Sequence, residues 1–300
     1  MLQLEQFDRA RAFIMSNARL LDRKRYEFHF EDGSAREVLD ALRVYQNKDG
    51  GFGNALEPDM RCSESQPVFT EEALLLMDEV GEFDAGIIEG IASYLQGIQT
   101  AEDGGFPRVL SSVHSAPHAP WWGTANDQEA CINPTGRILG LLYKQMAIPE
   151  ITREDWFHKA EEYVWRQLES AQSTDYHDLI QFISFLSHTP DRERAARHLD
   201  SLDHLLTAPG AIERDPAAEG YVHKILDFAP QPDSYCAKFF TVDEIKFHLH
   251  ALISQQQADG GWPIRWPPLS PANEMEWRGA VTVNRLLTLR AYEHLLTTAD

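Results

Sequence analysis

The chain has 300 residues, 43% of them hydrophobic, which is enough for one large domain or two ordinary ones with a sizeable core. It sets 27 Lys and Arg against 47 Asp and Glu, a formal charge of −20, which repels phosphate backbones and anionic lipid and argues against a nucleic-acid partner. No run of about 18 apolar residues offers a membrane span, the charged start from Met1 to Arg25 lacks the apolar core of a signal peptide, and three scattered cysteines (Cys62, Cys131, Cys236) read as reduced thiols of a cytoplasmic protein.

Leu4 to Leu21 reads as a first helix. Arg25 to Phe30 alternates in the manner of a strand, with Asp32-Gly33-Ser34 placed to turn it, so a short β excursion or a loop is expected near residues 25–34. Ser34 then caps a helix with Val38, Leu39, Leu42 and Tyr45 on one face. That helix stops at Asp49-Gly50-Gly51, where glycine permits a left-handed backbone. Thr70 to Val80 is the next helix, capped by Thr70 and ended by Gly81. Ile88, Ile91, Ala92, Leu95 and Ile98 make a helical stripe, stopped by Asp103-Gly104-Gly105.

A long polar segment, Pro107 to Pro134, follows. It holds His114, His118, Trp121 and Trp122, and structureless segments of that length are usually lids or binding loops. Ile138 to Met146 pairs with Trp156 to Gln172, and His177 to Leu186 with Arg192 to Leu206. Ala208 to Asp233 is rich in Pro and Gly and reads as irregular. Val242 to Gln256 is a helix, and Trp277 to Leu296 closes the chain. With roughly twelve helices in about six pairs and no flexible linker, the expectation is one all-α domain over 1–300.

Three phrases repeat: Gln46-Asn47-Lys48-Asp49-Gly50-Gly51-Phe52, Gln99-Thr100-Ala101-Glu102-Asp103-Gly104-Gly105-Phe106 and Gln256-Gln257-Ala258-Asp259-Gly260-Gly261-Trp262. Each follows an amphipathic helical stretch. Their aspartates lie 54 and then 156 residues apart, and the second gap is close to three times 52. A period of this size means repeated helix pairs. The glutamine amide can reach carbonyls left open at a helix end. Asp-Gly-Gly makes the reversal. The aromatic drops between neighbouring pairs, where burial contributes about 2–3 kcal/mol.

This phrase resembles the repeat of the prenyltransferase and squalene cyclase superfamily. The resemblance spans most of the chain and implies an α/α toroid, with inner and outer rings of helices around a central cavity. Similar Asp-Gly-Gly-Trp phrases also occur in toroidal polysaccharide lyases. Squalene–hopene cyclases use an Asp-x-Asp-Asp proton donor, and diphosphate-ionising synthases an Asp-Asp-x-x-Asp magnesium site. This chain has neither. Protein prenyltransferase β-subunits hold zinc through an Asp, a nearby Cys and a distant His. Asp233 and Cys236 with His248 or His250, and Asp59 with Cys62, come nearest, at a spacing of three where that family has two. No metal is assigned. No nucleophile elbow, Walker loop, dinucleotide fingerprint or paired Cys-x-x-Cys is present, and no cofactor is expected.

Two clusters hold residues that a staple does not need. Glu57 and Asp59 lie beside a proline-fixed turn after the first motif and are the candidate catalytic acids. Trp266, Glu276, Trp277 and Arg278 follow the third motif on a proline-rich strap. With Trp121 and Trp122 they make the candidate ligand-binding set, because aromatic walls with a few polar groups build small-molecule pockets. All eight are expected on one rim. Three function readings follow: a terpenoid-cyclase or prenyltransferase-like enzyme with an apolar ligand and an acid–base step; a carbohydrate-active lyase or hydrolase; and a binding module that kept only the scaffold.

Overall fold

The structure, a computed structural model, describes residues 4–297. Among them are thirteen α-helices and no strand. They are α1 (Leu4–Asn17), α2 (Leu20–Phe30), α3 (Ala35–Arg43), α4 (Pro67–Val80), α5 (Ala85–Ile98), α6 (Ile132–Lys144) and α7 (Asp155–Glu169). Then come α8 (Tyr176–His188), α9 (Arg192–Leu206), α10 (Ile225–Phe228), α11 (Val242–Ser254), α12 (Pro271–Ala291) and α13 (Glu293–Thr297). No described helix is long and apolar enough to cross a membrane.

The all-α expectation holds, and the β excursion does not. Residues 25–30 are the end of α2. Their alternation of charge and aromatic misleads because α2 buries charge. Asp22 and Arg25 sit one turn apart at 1% and 4% exposure, paired at 3.1 Å. Arg25 Nη2 also donates to Asn284 Oδ1 of α12 at 2.6 Å. The first helix likewise ends at Asn17 rather than running on to Leu21. Ser34 caps α3 as expected, exchanging bonds with Glu37 in a capping box. Thr70 is not a cap. Pro67 opens α4 at a position that needs no N–H, so Thr70 is one turn inside and fully buried. The strap after the third motif is shorter than its prolines suggest. Ser270 accepts from Asn273 N–H and Pro271 follows it, so Glu274 to Gly279 are already α12.

Contacts divide the chain into two compact units. One comprises 39–206, the other 1–38 together with 207–300. In the 39–206 unit, α6 lies between α4 and α8. Gly136 and Gly140 let α6 approach α8 closely: a methyl group on Gly140 would stand 2.6 Å from the Ser184 carbonyl oxygen. Helix α7 packs on α6, and α9 on α8. In the other unit α1, α2 and α12 pack on one another, and α11 contacts α10 and α13.

The three repeated phrases are staples with one geometry. Gln46 Nε2 donates to the Gly50 carbonyl in its own turn and to the Ile87 carbonyl of α5, at 3.0 and 3.3 Å. Gln99 does the same to Gly104 and to Trp156 of α7, at 2.6 and 2.7 Å. Gln256 does it to Gly260 and to Gln6 of α1, at 2.9 and 2.8 Å. Three residues beyond each gripped carbonyl, the first glycine lies on bare backbone: Gly50 on Gly90, Gly104 on Lys159, Gly260 on Arg9. Seven residues beyond it, the second glycine lies under a ring: Gly51 under Tyr94, Gly105 under Tyr163, Gly261 under Phe13. Phe52, Phe106 and Trp262 are at most 1% exposed. The backbone N–H of Phe106 and of Trp262 donates to a buried threonine, Thr135 of α6 or Thr282 of α12, at 3.0 Å each.

Candidate functional site

In the 39–206 unit the first staple passes directly into the acidic loop. Asn54 and Ala55 both take left-handed backbone, φ 56° and 59°. For alanine that conformation costs about 1–2 kcal/mol, and such strain concentrates where a side chain must be aimed. The next residues form a two-rung antiparallel contact with the long polar loop. Ala119 N–H donates to the Asp59 carbonyl at 2.8 Å, and Arg61 N–H to the Pro117 carbonyl at 3.0 Å. In this arrangement the Glu57 carboxyl meets the Trp122 indole, which lies with Trp121 on a short 3-10 turn, Pro120–Trp122.

Asp59 is buried at 2% exposure. Glu57 Oε2 and Trp122 Nε1 are both buried, and neither completes a well-formed hydrogen bond. Burial pushes the Glu57 carboxyl well above the usual carboxylate range, and the charges of Asp59 and Glu72 push it further. The Trp122 indole and the Asp59 backbone N–H face the carboxyl and pull weakly the other way. Arg108 organises the tryptophans. Its guanidinium lies 5.5 Å from the Trp122 ring centroid, and its Nη2 donates to the Trp121 carbonyl. Trp121 is 40% exposed, so one tryptophan faces water while the other covers the acid. His114 and His118 stack edge to face at 4.9 Å, and each ring bonds a backbone carbonyl, Thr124 and Ala116.

A second polar group in this unit links α4, α6 and α8. Glu71 Oε1 accepts from Gln181 Nε2 at 2.7 Å and from Arg137 Nη1 at 3.2 Å. Gln181 Oε1 accepts the Arg137 backbone N–H at 2.6 Å. Burial raises the Glu71 carboxyl, and Arg137 opposes it. Every member is satisfied, so this group holds helices in register.

Trp266, Glu276, Trp277 and Arg278 belong to the other unit. Trp266 and Trp277 meet edge to face at 5.0 Å, with Tyr221 on Trp266 at 6.1 Å. Both indole Nε1 atoms are buried with no hydrogen-bond partner. Glu276 is partly exposed on α12. Arg278 is committed to the third staple. At 4% exposure it bonds Asp259 Oδ1 at 2.7 Å and the Trp262 carbonyl at 3.3 Å, and lies 4.6 Å over the Phe13 ring. Of the eight residues expected on one rim, Glu57, Asp59, Trp121 and Trp122 lie in the 39–206 unit, and Trp266, Glu276, Trp277 and Arg278 in the other.

No group of three or more His, Cys, Asp and Glu among the described residues has the spacing to hold a metal. Cys62 and Cys236 are buried and in no disulfide, and His248 bonds the Arg214 carbonyl at 2.9 Å. Sequence reading missed Arg108 and Glu72, which lie far from Glu57 in the chain and carry no motif. Comparison with protein-family models, curated proteins and solved structures finds no match.

Proposed function

We propose that this protein is an α/α toroid of the prenyltransferase and squalene cyclase type that takes a small, largely apolar ligand and transfers a proton to it from Glu57. The Glu57 carboxyl carries the reading: buried, biased toward its acid form by desolvation and by Asp59 and Glu72, and facing the Trp122 indole. A buried acid that keeps its proton can deliver it to a carbon–carbon double bond or a leaving group. Trp122 supplies an aromatic face beside the acid, and Asp59 keeps the acid protonated until it acts. Within the other unit, Trp266, Glu276 and Trp277 form a separate aromatic and polar cluster for ligand binding, with Arg278 as its strut. The toroid is supported by the staples. Each grips a further helix in the same register, and the last grips the first helix of the chain. Three cysteines outside any disulfide suit a reducing compartment such as the cytoplasm.

The experiment is deuterium incorporation. The full chain is incubated in deuterated water with isoprenoid alcohols and polyenes, and products are read by mass. Protonation of a double bond followed by proton loss elsewhere leaves deuterium on carbon. Incorporation is expected with wild type, reduced with Glu57→Asp and lost with Glu57→Gln. Equal incorporation in Glu57→Gln rejects the acid. Saturable binding without incorporation favours a binding module. The exposed face of Trp121 supports a second reading, a carbohydrate-active enzyme, because sugar platforms must be open. Release of reducing ends from an oligosaccharide panel tests it.

A further inference from the structure

The unit built from 1–38 and 207–300 holds a cavity of about 280 Å³ that the acid site does not use. Its walls come from the irregular segment before and within α10, from α11, from the start of the strap and from Arg285 of α12. Its lining includes the apolar residues Leu226, Ala251, Leu252 and Trp262. It also includes Lys224, Arg265 and Arg285, which gather around Asp227. Asp227 accepts Arg265 Nη2 at 2.8 Å, Arg285 Nη1 at 3.4 Å and the Lys224 backbone N–H at 2.8 Å. Burial opposes its charge, but Arg285 and Arg265 more than offset this, so Asp227 stays ionised.

Within the lining three cations face this one ionised carboxylate, with the exposed Glu219 at the edge; Asp215 and Glu213 act on Lys224 from outside the lining. Burial and the nearby Arg265 push Lys224 below its usual range, against the charges of Asp227, Asp215 and Glu213. Its Nζ has found a neutral acceptor, the Pro216 carbonyl, at 2.6 Å. His248 adds no negative charge. A cationic pocket in a chain of net charge −20 is not a product of bulk composition.

We propose that this cavity binds a small organic anion, its carboxylate or phosphate head held by Lys224 and Arg285 and its compact apolar body lying against Leu252 and Trp262. Guanidinium forks and an ammonium are the groups that recognise such heads. The volume lies just below the range of about 300–1,000 Å³ usual for ligand pockets, so the body is small. The inference does not depend on Glu57.

Titration calorimetry on the full chain tests it with four probes: 4-phenylbutyrate, its uncharged amide, phenyl phosphate and inorganic phosphate. Saturable binding is expected for 4-phenylbutyrate or phenyl phosphate, with the amide at least tenfold weaker, since a charged hydrogen bond contributes about 1.5–3 kcal/mol. Which anion binds tighter identifies the head. Lys224→Met removes a charge, and Ala251→Phe fills the cavity without touching one. Both are expected to weaken the bound anion about tenfold or more, with far-UV circular dichroism confirming that each is folded. Binding of the amide as tightly as the acid overturns the anionic head. Inorganic phosphate as tight as phenyl phosphate overturns the apolar wall. No saturable binding by any probe, or unchanged binding in folded Ala251→Phe, overturns the site.

Discussion

Gln256 Nε2 donates to the Gln6 carbonyl at 2.8 Å, across 250 residues of chain. The same amide also holds the Gly260 carbonyl of its own turn, so one side chain ties the last Asp-Gly-Gly reversal to the first helix. Gln256→Leu keeps the volume and leaves two carbonyls short of a donor. The expected loss is about 1–3 kcal/mol, measured by urea unfolding. A loss no larger than that of an exposed control such as Gln255→Leu would show that the amide is ornamental.

Two glycines separate the cost of left-handed backbone from the cost of close approach. Gly81 has φ 69° and open space where a methyl group would go. Gly260 has φ 95°, and its methyl group would stand 2.2 Å from the Arg9 carbonyl oxygen. Gly81→Ala should cost about 1–2 kcal/mol, the strain alone. Gly260→Ala should cost clearly more, because backbone must move. Equal losses in thermal unfolding would remove close approach from the staple account.

Arg278, a candidate for ligand binding, also braces the third staple, and that position carries its own expectation. It bonds Asp259, whose carboxyl it holds below the usual range. The sign follows from that lowered value. The pair stabilises the fold at pH values above the unfolded carboxyl's pKa, and that contribution fades as pH falls through the lowered folded pKa. Arg278→Met should therefore destabilise at neutral pH and approach wild type at strongly acid pH. Unfolding midpoints across a pH series check this.

Helical periodicity made most of this fold legible. Regular apolar stripes locate α3, α5, α8, α9 and α11 within a few residues, since each buries one face. Helix α2 was hidden because its buried face carries Asp22 and Arg25, which neutralise each other only in three dimensions. The start of α12 was hidden by prolines, although Ser270-Pro271 is itself a start signal. In the 39–206 site, both the acids and the tryptophans were legible as clusters, and their meeting was expected. The loop pairing around Asp59 and Ala119 that joins the two loops was not, because it rests on backbone hydrogen bonds that carry no sequence motif. The cationic cavity was not legible at all. Lys224, Asp227, Arg265 and Arg285 lie up to 61 residues apart, with no common spacing.

Glu57 sets a trade-off between stability and function. Its folded pKa is raised, so its contribution is fully present below the unfolded carboxyl's pKa and is lost as pH rises through the folded value. Glu57→Gln removes that penalty. It is expected to unfold at a higher temperature than wild type at alkaline pH, with the difference shrinking toward acid pH. A variant less stable than wild type at alkaline pH would mean that the ionised carboxylate is well accommodated.

The central claim is that Glu57 keeps its proton when ordinary carboxyls have lost theirs, and infrared spectroscopy reads this without a substrate. The wild-type-minus-Glu57→Gln difference spectrum is recorded at neutral pH, in the region of the protonated carboxyl C=O stretch. Glu71 is raised as well, but it is common to both proteins and cancels. The account predicts a protonated-carboxyl band in wild type that is missing from Glu57→Gln and fades as pH rises, well above the range where ordinary carboxyls ionise. A difference spectrum showing an ionised carboxylate at Glu57 at neutral pH would contradict it.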